Sequence, residues 1–192
     1  MPDADAVNLA LLGLRLILGA VMLAHGINHI FGGGKIAGTG RWFESLGMKP
    51  GPLHAWTASI TEIAGGAMLV LGLATPLGCA AVVGVMLVAL ITNHLKNGFF
   101  IFRPGEGYEY VLTLTVVALC LAALGPGEWS LDGVLNDLDG IAPGSEPLVM
   151  ALNGFVITGW NGLAIAAIAG GGGAALLLAV FWRPAKPAAD AG

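Results

Sequence analysis

Long apolar runs constrain this chain more than any other feature of its sequence. Four of them cover residues 7–30, 56–74, 77–95 and 108–124, and a last one covers residues 148–182. The hydrocarbon core of a bilayer is about 30 Å thick, and about 20 apolar residues cross it as a helix. Only 10% of the residues are charged, whereas a soluble domain carries roughly 25%. The sequence therefore predicts an integral membrane protein.

The last apolar run is too long for one crossing of a bilayer. Asn153, Gly154 and Gly159 interrupt it, so we place a fifth transmembrane helix at residues 161–182. Residues 148–158 are then expected to lie in the interface or over the bundle. Because backbone polar groups in lipid need partners within their own segment, the predicted fold is all-α. It is a polytopic transmembrane helical bundle, with a four-helix core and a fifth, C-terminal transmembrane helix.

The basic residues predict the orientation of the bundle. With five spans, one side receives seven of the eight Lys and Arg residues, which are Lys35, Arg41, Lys49, Lys96, Arg103, Arg183 and Lys186. The other side receives acidic residues and no basic one. Since Lys and Arg in short flanks mark the cytoplasmic side, we expect a multi-pass protein of the plasma membrane, with its N-terminus outside and its C-terminus in the cytoplasm.

The chain divides into three predicted regions. Residues 1–132 form a four-helix membrane domain, residues 133–160 an acidic extracytoplasmic loop with the interfacial segment, and residues 161–192 the fifth helix with a short cytoplasmic tail. Eight scattered Lys and Arg residues leave nothing to hold nucleic acid. Two cysteines are too few for a disulfide framework or a four-thiolate metal site.

Ionisable residues within the spans are the candidates for function, because each is costly in lipid unless it is paired or hydrated. At about 1.5 Å of rise per residue, one such group from each of four helices reaches the same depth, in the cytoplasmic third of the bundle. These four predicted catalytic residues are His25, Glu62, His94 and Glu109. Arg15 lies about 15 Å further out on the first helix, and His29 lies near the end of that helix, where we regard it as peripheral.

Simpler roles remain open for each of these residues. His94 and Glu109 could be interfacial residues at helix ends, and His25 could donate to a backbone carbonyl. Arg15 could reach along its own helix to the membrane surface. Glu62 is the hardest to explain in this way, because apolar residues flank it and an unpaired carboxylate there would need a proton, a cation or a histidine.

Eight short motifs carry a resemblance to a known family. They are LRLILG (14–19), HG (25–26), GMKP (47–50), EIAGG (62–66), LGLAT (71–75), HLKNGFF (94–100), GYEY (107–110) and GPGEWSLD (125–132). In this order they resemble the DoxX family of DoxX/DoxD-like membrane proteins over residues 9–132. The resemblance implies a four-helix membrane bundle with a redox association. Members are linked to thiosulfate oxidation with quinone as acceptor, and actinobacterial relatives to membrane-bound redox and thiol-stress complexes.

The resemblance favours a membrane subunit of a quinone-linked or thiol/sulfur redox system. A quinone head group needs donors for two carbonyls, which His25, His94 and Tyr108 could supply, while Glu62 and Glu109 could pass protons to the cytoplasm. We also expect Arg15, Tyr108 and Tyr110 to contribute to cofactor binding. The expected cofactor is quinone, and the electrons would come from a partner or a small substrate.

Three other functions stay open. The chain could be a non-enzymatic anchor or scaffold that assembles peripheral redox proteins, in which buried charges only fix the bundle. It could transport a small anion or thiol, with Arg15 as the anion site. It could also hold a metal ion through His25, His29, His94 and Glu62, although our prediction is no metal. The expected partners are the lipid bilayer and either a peripheral redox protein or a second copy of the chain.

Overall fold

The computed structural model describes residues 3–137 and 158–184. Regular structure in these residues is helical, and Met48 and Trp182 form an isolated bridge between backbone segments. The helices are α1 (Ala4–Phe31), α2 (Lys35–Ser45), α3 (Gly51–Leu71), α4 (Thr75–Asn97), α5 (Glu109–Leu124), α6 (Leu131–Asp137) and α7 (Gly159–Phe181). The predicted all-α membrane bundle is confirmed. The expectation that residues 148–157 lie in the interface falls outside the described residues.

Three of the described helices are long and apolar enough to cross a membrane, namely α1, α4 and α7. Helix α5 is apolar but shorter, with 16 residues. Helix α3 has 21 residues, which is long enough to cross a membrane. It carries His54 and Glu62, and it is not one of the three helices that are also apolar enough to do so. The count of five spans and the orientation of the bundle therefore stay predictions.

Helix α2 lies in the connection between the first two predicted spans, and hydropathy did not predict it. Its sequence mixes glycine, charged and aromatic residues, so no apolar run marks it. It is nevertheless amphipathic, since Ile36 and Phe43 stand seven residues apart, on one face of a helix. That face packs into a cluster with Met48 and Ala55. The helix closes one end of the bundle beside α1 and α3.

The break between the second and third apolar runs also differs from the prediction. We expected residues 75–78 to form a turn with Pro76 as its stop. Instead α3 ends at Gly72, which adopts the left-handed conformation at φ 64°, as glycine commonly does after a helix. Pro76 lies in the first turn of α4, where its missing N–H has no helical partner to lose.

Helices α1 and α3 approach each other closely because glycine lies at their contacts. A Cβ atom on Gly26 would stand 2.9 Å from the Ser59 carbonyl oxygen, and one on Gly66 would stand 2.8 Å from the Gly19 carbonyl oxygen. Any larger residue would push the backbones apart. This contact holds the α3 residues next to Ser59, including Glu62, against the end of α1.

Helices α4 and α7 both contain a π-helical stretch, at Leu90–His94 and Ala166–Gly171 respectively. The two helices touch where a Cβ on Gly170 would stand 2.6 Å from the Ala80 carbonyl oxygen. A π turn widens a helix locally and is frequent at functional sites. Here the π-helical stretch of α4 includes His94.

A histidine-lined cavity as the candidate functional site

A cavity of about 610 Å³ lies mainly between α3, α4 and α7, with smaller contributions from α1, α2 and α5. Its wall is mostly apolar. We call it the histidine cavity, because all four histidines of the chain line it, together with Glu62, Glu106 and Tyr110; these histidines are His25, His29, His54 and His94. Three of the four residues predicted to be catalytic from their depth, His25, Glu62 and His94, thus line one space.

Glu62 and His29 lie close together in the wall of the histidine cavity. Glu62 is only 4% exposed, and its Oε2 lies 3.3 Å from His29 Nε2. The distance is that of an ion pair, but the geometry does not meet that of a hydrogen bond, and Oε2 has no hydrogen-bond partner. His29 was expected to be peripheral. It lines the cavity from the last turn of α1, which ends at Phe31.

His54 is a cavity residue that the sequence reading missed. It is 3% exposed, its ring packs edge-on against Phe181 with centroids 5.1 Å apart, and its Nε2 is buried with no hydrogen-bond partner. The predicted span began at Trp56, after His54. Pro52, in the first turn of α3, was the available signal, because proline is favoured at the start of a helix. His54 and Glu62 are eight residues apart and therefore share a helix face.

His94 lies in the π-helical turn of α4, with both ring nitrogens engaged. Nδ1 stands 2.8 Å from the Glu106 carbonyl oxygen, which can only accept, so Nδ1 donates. In the neutral ring Nε2 then accepts from the Asn93 side-chain amide at 3.3 Å. These bonds tie α4 to the loop before α5. They leave the neutral His94 ring with no free donor for a ligand.

The other predicted site residues of α5 divide between two faces. Tyr110 lines the histidine cavity, whereas Tyr108 and Glu109 are not among its lining residues. Tyr108 packs edge-on against Phe99, with ring centroids 5.5 Å apart. Glu109 is half-buried in the first turn of α5, where its backbone N–H donates to the Phe99 carbonyl. Successive helical residues are rotated by about 100°, so these three side chains cannot all face one site.

Arg15 is also absent from the cavity lining. It is 1% exposed, and its guanidinium donates to the backbone carbonyls of Leu69, at 3.4 Å, and Trp129. A Cβ on Gly72 would overlap this guanidinium. Arg15 therefore joins the end of α3 to the segment that precedes α6.

Asp132 completes the same group of contacts. It is 1% exposed, and its carboxylate accepts from the backbone N–H groups of Ala74 and Thr75, at 2.8 and 3.0 Å, and from the Thr75 hydroxyl at 2.9 Å. Its own N–H donates to the Gly72 carbonyl at 2.8 Å. The carboxylate thus satisfies donors at the start of α4. We call Arg15, Gly72, Trp129 and Asp132 the Arg15 network.

No group of three or more His, Cys, Asp or Glu side chains in residues 3–137 and 158–184 is arranged to hold a metal ion. The histidines of the cavity line different parts of its wall. His29 pairs with Glu62, and the two ring nitrogens of His94 are used by Glu106 and Asn93.

Comparison with known proteins assigns the chain to a family. The DoxX family model matches residues 10–95. A protein of Bacillus subtilis (strain 168) that bears the name "Putative oxidoreductase CatD" is 30% identical over 108 residues, which are 56% of this chain and 75% of the relative. The chain belongs to the DoxX family. The DoxX match ends at residue 95, within α4, so the wall that α7 gives to the cavity lies outside it. No solved structure matches the chain.

Proposed function

We propose that this DoxX-family protein is the membrane subunit of a redox system and that its histidine cavity binds the head group of a quinone. Support comes from the family, from the oxidoreductase name of the Bacillus subtilis relative and from the lining of the cavity. The wall matches the chemistry of a quinone, which is an apolar ring with two carbonyl acceptors. A volume of about 610 Å³ falls within the roughly 300–1,000 Å³ of small-molecule sites.

The observation that carries the proposal is a pair of buried polar atoms without partners. Nearly all buried polar groups in native proteins are hydrogen-bonded, yet His54 Nε2 and Glu62 Oε2, both from cavity-lining residues, are not. A ligand with a hydrogen-bond acceptor would satisfy an Nε2–H donor on His54. Glu62 could transfer protons to a ligand that takes them up.

The cavity changes the set of residues assigned to the site. His25, Glu62 and Tyr110 keep their proposed places, and His29 and His54 join them. His54 is the proposed donor to a quinone carbonyl, and Glu62 the proposed carrier of protons. The roles first expected for Arg15, Tyr108 and Glu109 are not part of this proposal, because these residues do not line the cavity.

A bound quinone would give the protein a two-electron, two-proton acceptor within the membrane. The electrons are proposed to come from a peripheral redox protein or from a reduced small substrate. The chain's own contribution is to exclude water through the apolar wall, to orient the head group through His54, and to hold a proton on Glu62.

The quinone content of the purified protein tests this proposal. Protein is extracted from its native membrane, and its lipids are analysed by mass spectrometry. We expect quinone in stoichiometric amount and at least about a tenfold loss in the Gly173→Leu variant, in line with a small-molecule site whose free volume is filled. Gly173 lines the cavity and has open space where its Cβ would be built.

Gly172→Leu is the matched control for this substitution. Gly172 is the neighbouring residue of the same helix, it also has open space around its Cβ position, and it is absent from the cavity lining. It should retain the quinone. Quinone lost equally from both variants, or absent from the wild-type protein, would contradict the proposal. A soluble enzyme that co-purifies with quinone-free protein would favour the scaffold function instead.

A further inference from the structure

A second, smaller cavity lies at the end of α1, beside the turn that leads into α2. Its volume is about 290 Å³, and we call it the glycine-turn cavity; its lining residues are Asn28, His29, Gly32, Gly33, Gly34, Gly38, Thr39 and Trp42. Unlike the histidine cavity, it is formed by residues of α1, α2 and the turn between them. Because it lies where an apolar span ends, it is at the boundary with water.

His29 and Trp42 are the residues that both cavities share. The indole of Trp42 does not exchange protons in this way, whereas histidine is the side chain that most often passes a proton from one group to another. On the side of the histidine cavity, His29 Nε2 lies 3.3 Å from Glu62 Oε2. The imidazole therefore stands between a space open to water and a carboxylate that is only 4% exposed.

The backbone around His29 is held in place by α2. The Thr39 hydroxyl contacts the His29 carbonyl oxygen at 2.9 Å and the Lys35 carbonyl oxygen at 3.2 Å. Phe43 lies beside the imidazole, with ring centroids 6.4 Å apart. These contacts connect the amphipathic helix α2, which no apolar run predicted, to the position of His29.

The charged and titratable groups near His29 come from three helices. Helix α3 contributes Glu62, and α1 contributes His25, one turn before His29. Helix α2 contributes Arg41, whose guanidinium lies 3.5 Å from the Cβ position of Gly34 in the glycine-turn cavity. His54 of α3 lies behind Phe43, at 6.2 Å between ring centroids. Of these groups, Glu62 is the one that lies within ion-pair distance of His29 in the described residues.

We propose that His29 is a proton relay between the glycine-turn cavity and Glu62. A hydronium ion in the glycine-turn cavity transfers its proton to the imidazole and becomes water. The proton on Nε2 then passes to Glu62 Oε2, which converts imidazolium and carboxylate into neutral imidazole and carboxylic acid and leaves the total charge of the pair unchanged. The relay would supply the protons that the proposed quinone site consumes, and its biological purpose rests on that proposal, although its test does not.

The test uses protons released by a light pulse as its only probe. The full-length protein in lipid nanodiscs is mixed with a photolabile proton donor. Infrared absorption of the carboxyl and carboxylate bands then follows the protonation of Glu62, from a starting pH between about 4 and 9, the range over which carboxyl and imidazole groups titrate. Glu62→Gln identifies the bands. We expect the carboxylic acid band to rise in the wild-type protein after each pulse.

Two variants interrupt the proposed route at different points. His29→Gln removes the titrating ring. Gly38→Leu leaves His29 and Glu62 unchanged but places a side chain in the glycine-turn cavity, where the nearest neighbour of its Cβ is the Arg41 side chain at 3.8 Å. Both should slow the protonation of Glu62 by about 100-fold, the lower end of what a positioned acid–base group contributes. Gly172→Leu should behave as wild type.

Several results would overturn the relay. Protonation of Glu62 at the wild-type rate in His29→Gln would show that His29 is not the relay. The same result in Gly38→Leu would show that protons do not pass through the glycine-turn cavity. A Glu62 band that does not respond to protons at any starting pH would do the same. Quinone content is measured on the same samples. A protein without quinone but with a relay slowed by both variants would contradict the proposed function and leave the relay supported.

Discussion

Arg15 and His29 lie on the same helix, about 21 Å apart along its axis, and the polar groups around them are used differently. In the Arg15 network, the guanidinium donates to two backbone carbonyls and the Asp132 carboxylate accepts three hydrogen bonds. Around His29, Glu62 Oε2 and His54 Nε2 have no hydrogen-bond partner. Most polar atoms of the first group have partners within the protein, whereas the unpartnered atoms of the second belong to residues that line a cavity.

The difference shows how buried charge can be interpreted in a membrane helix. A buried polar group that finds backbone partners joins the elements that supply those partners, as Arg15 joins α3 to the segment before α6. A buried polar group whose neighbours leave it unsatisfied lowers stability, so unsatisfied groups on residues that line a cavity, such as His54 and Glu62, point to binding. Arg15 Nε is the one atom of the Arg15 network that also lacks a partner among the described residues.

The largest effect on stability is expected from Asp132→Ala. The substitution removes the acceptor for the start of α4 and leaves the Arg15 guanidinium without its neighbouring carboxylate, which should lower the free energy of unfolding by about 3–5 kcal/mol. Thermal unfolding in detergent measures it. Asp5→Ala is the control, because Asp5 is exposed on α1 and should change stability by less than about 0.5 kcal/mol. Equal melting of both variants would show that the Arg15 network is not structural.

A smaller effect on stability is expected from Gly26→Val, at the packing contact between α1 and α3. Gly26→Val places a side chain against the Ser59 carbonyl oxygen and should cost about 1–3 kcal/mol. It should also separate His29 from Glu62 and so reduce the quinone content. Gly13→Val on the same helix meets no atom within 4 Å of its Cβ and serves as the control. If a destabilised Gly26→Val protein retained its quinone, quinone binding in the cavity would not depend on the contact between α1 and α3.

The smallest effect on stability is expected from Glu62→Gln. Glutamine keeps the shape of the side chain and removes a buried charge, so the free energy of unfolding should change by less than about 1 kcal/mol or rise. Reduction of bound quinone should nevertheless fall by about 100-fold, as expected when a positioned proton carrier is lost. Glu109→Gln, outside the cavity lining, should leave this reduction unchanged. If the Glu62→Gln protein were strongly destabilised but still reduced bound quinone at the normal rate, the role of Glu62 would be structural.

Apolar runs in the sequence predicted the apolar helices, but they did not predict the amphipathic helix α2. Helices α1, α4 and α5 were expected from hydropathy within a few residues of their ends. Helix α2 was not, because its Ile36 and Phe43 pack against Met48 and Ala55 from other parts of the chain, while most of its other residues are polar or glycine. Tertiary contacts decide the structure of such a segment.

The site was predictable only where depth along a helix determines position. Depth brought His25, Glu62 and His94 together, but it could not decide which side of α5 faces the cavity, and Glu109 lies on another side. The partners of Arg15 could not be read from the sequence, because the Leu69 and Trp129 carbonyls are 54 and 114 residues away. His54 could be predicted as a site residue only if the start of α3 were known, and proline marks that start whereas hydropathy does not.

Photochemical labelling tests the central claim, that the histidine cavity binds a quinone head group, most directly. A quinone analogue with a photoreactive head group is incorporated into nanodiscs with the full-length protein, activated by light and located by mass spectrometry of the resulting peptides. The account predicts adducts on residues 54–62 of α3 and 169–177 of α7, lost when unlabelled quinone competes and lost in Gly173→Leu but not in Gly172→Leu. Adducts confined to lipid-facing residues or to the Arg15 network, or adducts that unlabelled quinone does not reduce, would contradict it.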